Sequence, residues 1–177
     1  MGEIGTYENF PAPLVAVSVL VTSSIYALGA FILSGYGPVV TGAYLLYCAF
    51  FEVRVMKQSC VNCYYYGKRC GLGRGKISAY LFPQGDPRLF ARMNITWTTL
   101  IPDVLIMLLP LFGGIILLVR SFSWLVALGM VLLVALSLGG NAFVRGQIAC
   151  KYCKQREIGC PAEKLFGGAA HNDIPLA

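Results

Sequence analysis

Four apolar runs, each close to the length that crosses a bilayer's hydrocarbon core, leave this chain few folds to choose from. They extend from Leu14 to about Ser34, from Pro38 to about Val55, from Thr99 to Val119 and from Phe122 to Val144. Hydrophobic residues make up 57% of the chain and charged residues only 12%, which excludes disorder and an ordinary soluble enzyme. Gly35-Tyr36-Gly37 joins the first two runs and Arg120-Ser121 the last two, and turns that short make antiparallel pairs. The expectation is an all-α integral membrane protein, a four-helix transmembrane bundle of two tandem helical hairpins. Residues 1–96 hold the first hairpin with a cysteine knuckle and an interfacial helix. Residues 97–177 hold the second hairpin with its own knuckle and a C-terminal tail.

Lysine and arginine set the orientation. Thirteen of the fourteen lie between the second and third runs or after the fourth, and only Arg120 lies opposite. The positive-inside rule therefore predicts that both termini and both cysteine segments are cytoplasmic. The N-terminal segment carries Glu3 and Glu8 and no basic stretch before its apolar run, so it does not read as a secretory signal. Met1-Gly2 with Thr6 as a myristoylation pattern, and Asn94-Ile95-Thr96 as a glycosylation acceptor, are both taken as chance. Asp86-Pro87 reads as a helix start, a side-chain cap followed by proline at the first helical position. Leu89, Phe90, Met93 and Trp97 share one face of that helix, as expected of a short interfacial helix leading into the membrane. Trp97 and Trp124 mark opposite interfaces.

Six of the seven cysteines repeat one spacing. Cys60, Cys63 and Cys70 form C-x2-C-x6-C, and Cys150, Cys153 and Cys160 form it again, displaced by 90 residues at every position. A Val-Arg pair precedes each triplet (Val53-Arg54, Val144-Arg145) and a Leu-Phe pair follows each (Leu81-Phe82, Leu165-Phe166), so the chain reads as a tandem duplication. Thiolates at i and i+3 can converge on one ion, and a six-residue loop lets a third fold back to them. A reducing cytoplasm disfavours disulfides. Two separate tetrahedral zinc sites need about eight ligands. His171 is expected to be a solvated tail residue, and Cys48 a small buried apolar one. Either four cysteines hold one ion or cubane cluster, or all six hold two ions with two bridging thiolates.

The second arrangement resembles the binuclear zinc cluster of fungal transcription regulators, two C-x2-C-x6-C motifs joined by a short linker. All six cysteines match that form; the linker here contains a transmembrane hairpin instead. The resemblance implies coordination geometry at most, not DNA binding. Zinc is therefore the expected cofactor. An iron-sulfur cluster is the alternative: Cys160-Pro161 resembles the Cys-Pro closing a ferredoxin motif, although the C-x2-C-x2-C spacing is absent.

Lys68, Arg69, Arg74 and Lys76 surround the first triplet, and Lys151 and Lys154 the second. They are expected to stabilise thiolates and to hold the knuckles against anionic headgroups. The partners expected are the bilayer and other membrane or cytosolic subunits, with nucleic acid disfavoured. Gly71-Leu72-Gly73-Arg74-Gly75-Lys76 lacks the Ser or Thr and the preceding strand of a phosphate loop. It reads instead as a backbone flexible enough to wrap sulfurs. Tyr64, Tyr65 and Tyr66 are expected at the interface. Glu52 and Asp103, the acids within the spans, are expected either to pair with Arg54, Arg92 or Arg145 or to serve a proton, cation or quinone-like site. No catalytic constellation is present, so three functions stand: a zinc-pinned docking element, an iron-sulfur electron-transfer subunit, or a soft-metal handler or transporter.

Overall fold

The computed structural model describes residues 5–93 and 97–161. Among the described residues every regular element is helical, and the one β-type contact is an isolated parallel bridge between Tyr7 and Cys153. Four segments are long and apolar enough to cross a membrane: Ala12–Tyr36, Pro38–Asn62, Thr99–Arg120 and Trp124–Ala149. Their outward faces carry Leu20, Leu46, Phe50, Leu125 and Val131 in the open, a surface that hydrocarbon but not water would stabilise. These helices mark the chain as a membrane protein.

Helix α1 (Ala12–Leu33) is central and packs against α2 (Pro38–Gln58), α5 (Trp97–Arg120) and α6 (Trp124–Ala135). A 3-10 turn, Ser34–Tyr36, and Gly37 at φ +100° connect α1 to α2. Between α2 and α5 lie the 3-10 turn Cys60–Asn62 and two short helices, α3 (Arg74–Leu81) and α4 (Pro87–Arg92). The fourth span continues from α6 through a π-helical stretch at Leu136–Gly140, then α7 (Asn141–Phe143), then a second π-helical stretch at Val144–Ala149. Last comes α8 (Gln155–Ile158). The core between the spans is built from Ile25, Ile32, Leu33, Tyr44, Cys48, Phe51, Ile106 and Leu133.

Two span limits differ from expectation. The second runs on to Asn62 instead of stopping near Val55, and the fourth to Ala149 instead of Val144. Hydropathy marks where hydrocarbon ends, whereas a helix continues until its backbone is interrupted, and Arg54, Lys57 and Arg145 are good helix formers. Each extension delivers the chain to the first cysteine of a triplet. The Asp86 cap forms as expected, its carboxylate accepting the Arg88 N–H at 2.8 Å, but α4 ends at Arg92 and Met93 is extended.

Candidate thiol site

Each triplet begins with the same turn. The Cys63 N–H donates to the Cys60 carbonyl at 3.2 Å and the Tyr66 N–H to the Cys63 carbonyl at 3.0 Å. Ninety residues on, the Cys153 N–H donates to the Cys150 carbonyl at 3.3 Å and the Arg156 N–H to the Cys153 carbonyl at 3.2 Å. Cys70 is served from the glycine-rich segment, where the Gly75 N–H lies 3.2 Å from its Sγ. Only glycine fits there, because a Cβ on residue 75 would stand 2.3 Å from the Tyr65 carbonyl oxygen and 2.4 Å from that of Lys68.

The two cysteine segments are interlocked. Gln155, fully buried, accepts the Tyr64 N–H through its Oε1 at 2.7 Å, and the Tyr65 hydroxyl accepts the Lys154 N–H at 3.0 Å. The residues before α1 lie across both segments as a strap. The Tyr7 N–H donates to the Tyr152 carbonyl and the Phe10 N–H to the Arg69 carbonyl, each at 3.0 Å. The Tyr65 hydroxyl donates to the Tyr7 carbonyl. Phe10, Tyr65 and Tyr7 stack at ring distances of 5.4 Å, with Phe10 and Tyr65 buried. Tyr65 is thus a pillar between the segments, not an interfacial residue. Tyr66 donates to the Phe82 carbonyl at 2.7 Å. In the sequence the only signal of this strap is the pair of aromatics, Tyr7 and Phe10, ahead of the first span.

This interlock sets Cys63 and Cys153 one or two residues from the hydrogen bonds that join the segments. Burial pushes the Cys63 thiol up to about 11; its backbone N–H donors work against that, while Cys70 and Cys160 add to it. Burial pushes Cys153 up to about 12, opposed by the Gln155 N–H and reinforced by Cys63, Cys160 and Cys150. Thiols so placed are protonated at neutral pH and are poor nucleophiles. Cys60, Cys63, Cys70, Cys153 and Cys160 are thiols, not disulfides. Clustered cysteine sulfurs have the donor chemistry a thiophilic cation takes, and the Gly75 N–H orients one of them, Cys70. As placed, however, no three Cys, His, Asp or Glu side chains among the described residues are grouped closely enough to hold an ion. His171 lies outside the described residues, as do Lys164 and the Leu165-Phe166 pair.

The surrounding bases face other partners. Lys68 Nζ stands 4.0 Å above the Tyr64 ring and Lys154 Nζ 5.5 Å from it, while Lys151 lies 5.5 Å over Tyr152. Lys154 also pairs with Glu8 at 3.0 Å, Arg69 is held through its backbone, and Lys76 is exposed. Glu52 pairs with Arg74, not with Arg54, Arg92 or Arg145. Nε and Nη2 of Arg74 lie 2.6 and 2.5 Å from its two oxygens, and the Tyr26 hydroxyl donates to the same carboxylate. Sequence distance hid this partner, since Arg74 reaches the membrane acid only because the loop after Cys70 folds back against α1. Asp103 does face Arg145, at 3.8 Å. Neither a protein-family model, nor a curated protein, nor a solved structure matches this chain.

Proposed function

We propose that this membrane protein holds one joint soft-metal site, zinc in the first instance, between its two cysteine triplets. The site ties two tandem hairpin-and-knuckle halves together on the cytoplasmic side, as a structural or docking element of a membrane complex. The observation that carries this reading is the interlock of the two cysteine segments, in which Gln155 takes the Tyr64 N–H and the Tyr65 hydroxyl takes the Lys154 N–H, each residue within two positions of Cys63 or Cys153. The matched turns and the Gly75 N–H directed at the Cys70 sulfur support it. Cys60, Cys63 and Cys70 from one side and Cys150, Cys153 and Cys160 from the other would supply the ligands, and closing a ligand shell requires the thiols to draw closer than they stand as thiols. The basic surround suits contact with anionic headgroups and acidic subunits.

The test is anaerobic purification with metal quantification and a visible spectrum. A colourless protein with about two zinc ions per chain is expected for six bridging thiolates. Cys63→Ser and Cys153→Ser should each strip the metal, because the site is shared. A brown preparation containing iron and sulfide would replace zinc with an electron-transfer cluster. Metal-free protein, or one triplet staying loaded when the other is changed, would overturn the joint site.

A further inference from the structure

A cavity of about 240 Å³ lies among α1, α5, the π-helical part of the fourth span and the segment leading into α3. Two polar groups border it, and they differ in kind. Tyr26, Glu52 and Arg74 form a closed set in which every charged group has its partner. The opposite wall is open. Asp103 and Arg145 are 3.8 Å apart, too far for a hydrogen bond, so each keeps capacity for a further partner. Ser137, Asn141 and Arg145 line the cavity at four-residue intervals along the fourth span, facing Asp103 on α5. Arg145 stands on one of the two π-helical stretches of the fourth span, a backbone form that recurs at functional sites.

The chemistry of that wall selects the occupant. One carboxylate and one guanidinium cancel, so the cavity suits a neutral molecule, and Asp103 repels a phosphate that Arg145 alone would attract. Asp103 can only accept a hydrogen bond and Arg145 can only donate, so the ligand must offer both a hydroxyl and an acceptor oxygen. Ile25, Ile106 and Met107 supply apolar walls, and Val104 and Leu138, both exposed, form a lip toward the lipid. The volume suits one ring rather than a whole lipid.

We propose that this cavity takes the head group of a lipid-soluble quinol from the bilayer, with Asp103 accepting one hydroxyl and Arg145 and Asn141 meeting the oxygens. The site is separate from the thiols, and its test uses no metal. Protein in phosphatidylcholine nanodiscs is titrated calorimetrically with a decyl-tailed benzoquinol and with its oxidised form. Saturable binding beyond that of empty nanodiscs is expected, on the order of micromolar. Asp103→Asn should weaken the quinol about tenfold or more and the quinone far less, whereas Arg145→Gln should weaken both. If Asp103→Asn fails to fold, Leu138→Trp, which fills the lipid-facing lip, carries the test by abolishing binding. Uptake no greater than that of empty nanodiscs overturns the proposal, as does equal loss of both redox forms in Asp103→Asn. Displacement of the quinol by phosphatidylglycerol also overturns it and makes the cavity an anionic-lipid site.

Discussion

The Tyr44 hydroxyl donates to the Ile106 carbonyl at 3.0 Å, and that carbonyl is the one Pro110 leaves without its helical partner. Proline has no N–H to return to the residue four before it, and within lipid no water is at hand to substitute. Gly29 makes the arrangement possible, since a Cβ there would stand 2.2 Å from the Tyr44 oxygen. Three spans thus meet at one hydrogen bond. Tyr44→Phe should lower resistance to unfolding in detergent by about 1–2 kcal/mol. In a Pro110→Ala background, where residue 110 regains its N–H, the same change should cost clearly less. An equal cost in both backgrounds would show that the hydroxyl does not serve the carbonyl freed by proline.

The Glu52–Arg74 pair fastens the first cysteine segment to the bundle. Both side chains are largely shielded, 23% and 17% exposed, and the geometry is bidentate. Removing one partner strands a charge, so Arg74→Gln should destabilise by about 2–4 kcal/mol, somewhat discounted for the residual exposure. Arg74→Lys should recover only part of this, because an ammonium cannot fork across two oxygens. The Glu52→Gln, Arg74→Gln double variant should be more stable than Arg74→Gln alone. Thermal unfolding of the three in one detergent decides it, and a double variant less stable than the single would count against a stranded charge.

Gly75 is the position where the first cysteine loop tolerates no side chain. Its N–H faces the Cys70 sulfur while its Cα side abuts the carbonyls of Tyr65 and Lys68. Gly75→Ala should cost about 1–3 kcal/mol, as overpacking against backbone does, and should expose Cys70 to alkylation. Gly42→Ala, where a Cβ meets nothing within 4 Å, is the control. Equal alkylation of Cys70 in both variants would rule out the loop constraint.

What the sequence made legible was whatever rests on local pattern. Hydropathy located the four spans, Asp86-Pro87 located a cap that forms, and the spacing of Cys60, Cys63, Cys150 and Cys153 anticipated a shared turn. Contacts between distant segments left no such trace. In the sequence Arg74 is one base among many, and only the fold of its loop back onto Glu52 sets it apart. Tyr65 reads as one of three tyrosines, yet burial between Phe10 and the second triplet sets it apart. The cavity depends on how Asp103 and Arg145, far apart in the chain, come to face one another across two spans.

The strap ahead of α1 should respond to acid. Hydrogen bonding and charge from Lys154, joined by the charge of Lys68, hold the Glu8 carboxyl below its ordinary 4.5. A carboxylate whose folded value is depressed helps the folded form at pH above its ordinary value, and that help fades as pH falls through the lower folded one. Glu8 is itself well exposed, so the effect is local and screened by salt. Amide protection at Tyr7, whose N–H reaches the Tyr152 carbonyl, should therefore be steady from about pH 7 to 5 and decline below about 4.5. Glu8→Gln should lower protection at neutral pH and remove this decline. Exchange measured by mass spectrometry on the N-terminal peptide distinguishes the outcomes, and an acid response that survives in Glu8→Gln would assign it to another group.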